Sequence, residues 1–176
     1  MALIVENGSG LVNAEAYRSV ADHKAYCDAM GFSYAGKSDQ QLEQDARRAT
    51  AAMTQRYRMR WAGQRVSLAQ ALDWPRTLVP IKDAPTGYGA SVAYYPANFV
   101  PREVGDAQSE LMLRLGAGVE LIPDQTRAIL SETVGPISTT YDKNTPVAPR
   151  FTAIDLALAP LLKRGGSTSV VGVVRC

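Results

Sequence analysis

Apolar positions recur at helical spacing in four places along this chain, separated by stretches with no period. Leu42, Ala46, Ala49, Met53 and Tyr57 predict a helix with one buried stripe, capped by Ser38 or Asp39 and running to about Tyr57. Arg47, Arg48 and Arg56 lie off that stripe, and Glu43 is placed to pair with Arg47 one turn on. Ser19, with Asp22 three residues later, predicts an earlier helix that Gly31 ends. Its expected apolar face is Val20, Ala21, Ala25, Tyr26 and Met30, with His23 on the surface. Pro101 suits the first turn of a third helix ending near Gly116, with Val104, Ala107, Leu111 and Leu115 inward. A fourth, about Thr152 to Lys163, would bury Ile154, Leu158, Leu161 and Leu162; Pro160 inside it predicts a kink or a split.

Three regions read as extended. Leu3-Ile4-Val5 and Leu11-Val12 flank a Gly-rich turn. Thr126 to Thr133 and Ile137 to Tyr141 form a hairpin candidate around Val134-Gly135-Pro136. Gly165-Gly166-Ser167 is a flexible joint before the β-prone run Thr168, Ser169, Val170, Val171, Gly172, Val173, Val174, Arg175. That run can add to another chain's sheet edge, or pair with the protein's own hairpin. The expected fold is mainly α: a small bundle of about four helices over residues 1–164, with a β-hairpin at about 126–141. Residues 165–176 form the joint and an extended tail.

The chain hinges on residues 57–76, which hold both tryptophans and a dense run of arginines. Ser67 and Gln70 have capping-box spacing and Pro75 is a stop, which predicts a short helix from Ser67 to Asp73. Trp61 and Trp74 flank it and would pin it to the body, and Gly63 allows the turn before it. One functional reading is a basic, aromatic surface for nucleic acid, with Trp61, Trp74, Arg58, Arg60 and Arg65 as platforms and charges. Nothing in the spacing favours that reading over the plainer one, a packed loop whose arginines stack on rings or pair with carboxylates. Residues 77–100 read as a long loop rich in Pro, Gly and aromatics, and Tyr88, Tyr94, Tyr95 and Phe99 suit a subunit or tail-side contact.

Composition narrows the chemistry. At 176 residues the chain is one domain, and its formal net charge of +2 argues against a dedicated polyanion binder. No apolar run approaches a bilayer span, so no membrane partner is expected. Met1 to Val5 is too short for a signal-peptide core, so the protein is expected to stay in the compartment where it is made. Cys27 and Cys176 build neither a disulfide framework nor a metal site, and Cys27 reads as a half-buried core residue. A single histidine without partners removes triad and most metal chemistry. Asp22, Glu103, Asp106 and Glu110 read as solvated helix carboxylates. No catalytic residue, cofactor or metal is expected.

The order of these features resembles a family of tailed-phage head–tail connector proteins, also called adaptor or head-completion proteins. Many of its relatives carry a DnaT-like single-stranded-DNA-binding label. The residues that carry the resemblance are Leu3 to Gly8, Asn13 to Ala21, Ala49-Thr50 and Tyr57. The most specific block is Trp61-Ala62-Gly63-Gln64-Arg65 with Gln70-Ala71-Leu72-Asp73-Trp74-Pro75-Arg76. Pro101, Val134-Gly135-Pro136 and Ala159-Pro160-Leu161-Leu162 complete a match over nearly the whole chain. The resemblance implies a structural virion protein: a homo-oligomeric ring, usually a dodecamer, between the portal protein and a tail terminator or stopper. Such a ring extends the channel for double-stranded DNA without reading sequence. The tail, Thr168 to Arg175, would reach onto the portal. The implied location is the virion neck, after assembly in the host cytoplasm. The competing reading is a replication accessory protein that binds single strands.

Overall fold

The structure, a computed structural model, describes residues 2–85, 92–122, 131–134, 137–140 and 151–163. Helix α1 spans Val20–Met30, α2 Asp39–Tyr57, α3 Arg102–Gly116 and α4 Thr152–Leu158. The caps follow from local chemistry. Ser19 and Ser38 each accept the amide of the residue three on, Asp22 and Gln41, whose side chains reach back to the cap. Gly31 closes α1 at φ 73°, a left-handed backbone that a β-carbon would disfavour. Pro101 stands at the N-cap of α3. Pro160 has the expected effect: α4 stops at Leu158 and tightens into a 3₁₀ turn, Ala159–Leu161.

Helices α2 and α3 share the largest contact; α4 packs on α3, and α1 lies against both. The predicted stripe of α2 is buried in full, as are Val104, Ala107 and Leu111 of α3 and Ile154, Leu158, Leu161 and Leu162 at the α4 end. Leu115 is only partly covered.

Helix α1 differs from its expected face. Ala21, Ala25 and Met30 are exposed, while His23 and Cys27, one turn apart, point inward. His23 is 1% exposed, not a surface residue, and Cys27 is fully rather than half buried. Their side chains meet, with His23 Nε2 3.5 Å from Cys27 Sγ. The helix is held instead by polar ties: Tyr26 Oη donates to Glu110 at 2.9 Å, and Arg18, just before α1, pairs with Asp106. Glu110 also binds Arg114 and Asp106 also binds Arg102, so neither is a simple solvated carboxylate. Burial and then the Glu110 bond push the Tyr26 hydroxyl up to about 12.

Two small antiparallel ladders complete the described chain. Strands β1 (Gln64–Arg65) and β2 (Arg76–Thr77) pair Gln64 with Thr77 and Arg65 with Arg76. Strands β3 (Ser131–Val134) and β4 (Ile137–Thr140) pair Val134 with Ile137, at the hairpin position expected; residues 126–130, Gly135, Pro136 and Tyr141 lie outside the described residues. Isolated bridges join Val5 to Ala16, Trp61 to Leu162 and Pro80 to Tyr94. Between Val5 and Leu11, the buried Glu6 carboxylate accepts the amides of Gly8, Gly10 and Leu11, each at 2.9 Å. The tail residues Thr168 to Arg175, and Tyr88, lie outside the described residues.

Candidate interaction surface

The 57–76 stretch is a compact knot rather than a helix. Ser67 and Gln70 do meet: the Ser67 amide donates to Gln70 Oε1 at 2.9 Å. The other end of the same side chain is claimed elsewhere, because Gln70 Nε2 donates to the carbonyls of Leu72 and Pro75. Those bonds turn the chain back on itself, so Ser67–Asp73 is irregular and the predicted helix is absent. The Trp74–Pro75 peptide is cis.

Trp61 and Trp74 form the centre of the knot at 1% and 0% exposure, edge to face with centroids 5.8 Å apart. Tyr57 packs on Trp61 at 5.7 Å. One carboxylate organises the polar side: Asp73 accepts Trp61 Nε1 at 3.2 Å and Arg58 Nε at 2.8 Å. Tyr17 Oη accepts the amides of Asp73 and Trp74. Arg76 threads inward and donates to the carbonyls of Ala62, Gly63 and Asp73, while Arg65 donates to Gln70 O. Burial pulls the Arg76 guanidinium below its ordinary range. Gly63 sits at φ 63°, and a β-carbon there would lie 2.2 Å from Thr77 O. Trp61, Asp73, Trp74, Gln70 and Arg76 thus hold the block together as one structural unit. The reading of Trp61 and Trp74 as base-stacking platforms is corrected, because neither ring reaches solvent.

Several large apolar side chains are exposed instead. Leu68, between the two tryptophans in sequence, is 95% exposed, and Met59 is 83% exposed. Leu78 is exposed as well and holds φ 59°, a left-handed backbone unfavourable for leucine. Tyr94 and Phe99 are exposed, and Tyr95 stacks on Phe99 with planes 6° apart. Phe99 borders a groove of about 300 Å³ that Asn7, Arg18, Asn98 and Arg102 also line.

The arginines are mostly engaged. Asp155 of α4 takes Arg56, Arg60 and the Tyr57 hydroxyl. Burial works against the ionised Asp155, but the bonds from Tyr57 and Arg56 prevail and hold it below the usual carboxylate range. Among the described residues no three His, Cys, Asp or Glu side chains gather as a metal site. No helix there is long and apolar enough to cross a membrane.

Sequence reasoning missed His23, Glu6, Gln108 and the inward course of Arg76. Gln108 accepts the amides of Tyr17 and Arg18 from about ninety positions away, and no local signal marks such a bond. No curated protein and no solved structure matches the chain. A family model matches residues 1–176, and the chain belongs to the family that it describes, "Putative DnaT-like ssDNA binding protein".

Proposed function

We propose that this protein acts by binding rather than catalysis, as a ring-forming head–tail connector subunit. The observation that carries the reading is the division of its surface. The aromatic block is sealed inside, and Met59, Leu68, Leu78 and Leu156 face outward instead. Exposed apolar side chains of this size suit protein partners. The arginines around them are tied to Asp73 and Asp155, which suits a docking face better than an electrostatic groove. The sequence resemblance supplies the assembly: a ring of copies, usually twelve, between portal and stopper, with residues 168–175 on the portal. Electron microscopy of the chain mixed with its portal tests this. Ring density below the portal is expected. Deleting residues 165–176 should leave a folded protein that no longer joins capsids.

Single-strand binding is the second reading, and it is the one that the family's description supports directly. With both tryptophans buried, a strand would have to stack on other rings. Phe99, exposed beside Arg102 and Arg18, is the described aromatic best placed to stack a base next to cations. Fluorescence anisotropy with a labelled oligonucleotide separates the readings. Salt-sensitive binding that Phe99→Ala weakens by roughly tenfold, without portal association, would replace the connector with a strand binder.

A further inference from the structure

Asn7-Gly8 is the one Asn-Gly pair in the chain. Such a pair can condense on itself, because a five-membered ring closes when the Gly8 nitrogen bonds to the side-chain carbonyl carbon of Asn7. Glycine puts no side chain in the way of that approach. The fold adds a contact on each atom that must react. The Gly8 N–H, on the nucleophile, donates to Glu6 Oε1 at 2.9 Å, and Glu6 is held in place by the amides of Gly10 and Leu11. Asn7 Oδ1, where negative charge would gather, accepts the Ser9 N–H at 3.0 Å and the Ser9 hydroxyl at 2.6 Å. A backbone N–H can only donate, so the atom facing it is the amide oxygen and not the amide nitrogen. Asn7 is exposed, which lets the nitrogen depart and water enter.

We propose that this turn is a self-modification site, in which Glu6 and Ser9 promote loss of ammonia from Asn7 through a succinimide. The Gly8 nitrogen attacks Asn7 Cγ while its proton passes to Glu6 Oε1. That proton lies in the peptide plane and the attacking electrons lie perpendicular to it, so the bond to Glu6 does not block the nitrogen. The carbonyl electron pair moves onto Oδ1, where the two Ser9 donors stabilise it. When the pair returns, the bond from Cγ to Nδ2 breaks, and ammonia leaves with the proton that Glu6 took. Water then opens the ring at either carbonyl and leaves an aspartyl or an isoaspartyl residue at position 7. One water is consumed and one ammonia released.

The change reaches the groove beside Phe99, whichever partner the protein binds. Gly8 is pressed against Asn98, so closely that a β-carbon would lie 2.2 Å from Asn98 O. An isoaspartyl link lengthens the backbone by one carbon where there is no space for it. The loop must then lift from Asn98, and Asn7, Asn98 and Phe99 line the same groove. The site is a slow, one-way clock set on that groove.

The experiment ages the full chain at neutral pH, folded or in urea. It follows ammonia release, and by mass spectrometry the aspartyl and isoaspartyl forms of the peptide that carries Asn7. The folded chain should convert about tenfold faster than the unfolded one, because only the fold holds base, nucleophile and oxygen donors in place together. Ser9→Ala removes an exposed hydroxyl, so circular dichroism should show intact helices, and the folded rate should fall by about tenfold. Glu6→Gln should bring the folded rate down to the unfolded one; if that variant does not fold, Ser9→Ala decides alone. A folded chain that keeps Asn7 longer than the unfolded chain does would overturn the proposal. So would a Ser9→Ala protein that converts at the parent's rate.

Discussion

Asp73 shows how much of this molecule depends on single polar groups. It is 1% exposed, and it is the acceptor for both an indole and a guanidinium. Asp73→Ala would leave Trp61 Nε1 buried without a partner, and should cost about 2–4 kcal/mol in urea unfolding. Trp74→Ala removes a ring from a close-packed site and should cost about 3–5 kcal/mol by the same measurement. His23 makes a pH-dependent prediction. Burial first, then Lys37 and Arg18, lower its proton affinity, with Asp45 opposing. The unfolded chain therefore takes up a proton near 6.5 that the folded chain takes up only at lower pH. Stability is full above that range and falls as pH drops through it, levelling once the folded form protonates too. Urea midpoints should decline between about pH 7.5 and 5.5, and His23→Gln should flatten the decline. None of these roles is visible from neighbouring residues, since each partner set is assembled by the fold.

At the scale of elements, legibility followed the locality of the forces. Helix α2 is readable because its cap, Ser38, immediately precedes 19 residues that carry one unbroken apolar stripe. Ser38→Ala should therefore cost about 1 kcal/mol, measured by thermal unfolding. The Ser67–Gln70 pair has the same spacing but makes only half of the box, the bond from the Ser67 amide to Gln70 Oε1, and no helix forms. Two carbonyls that a helix would leave out of reach take Gln70 Nε2, and of the segment's two leucines only Leu72 is buried while Leu68 faces outward. Ser67→Ala removes only its bond to the Ala69 amide, so it should move stability less than Ser38→Ala does. The caps of helix α1 are legible in the sequence, but its buried face is not. Its buried pair is a histidine and a cysteine, while its aliphatic residues are mostly exposed.

For the whole molecule, the broad architecture was legible and the use of the surface was not. Four amphipathic segments and a hairpin suffice to specify a small bundle. Whether an aromatic block faces in or out depends on how distant segments close over it. Here Tyr17, the turn after α4 at Leu161 and Leu162, and the β1–β2 ladder do so. That closure gives a prediction of whole-molecule character. Both tryptophans are sealed in one place, so acrylamide should quench their emission weakly in the folded protein and strongly in urea. Adding an oligonucleotide should leave the emission unchanged even if the strand binds at Phe99. A large change on binding would mean that the block opens.

The loop after Val5 has a further consequence. Three backbone amides converge on the Glu6 carboxylate, so the loop is a small anion receptor whose guest is tethered to the host. Cutting that tether with Glu6→Ala should leave an empty receptor. Formate or acetate added to the solution would then act as a replacement guest, returning part of the lost thermal stability while leaving the parent protein unmoved.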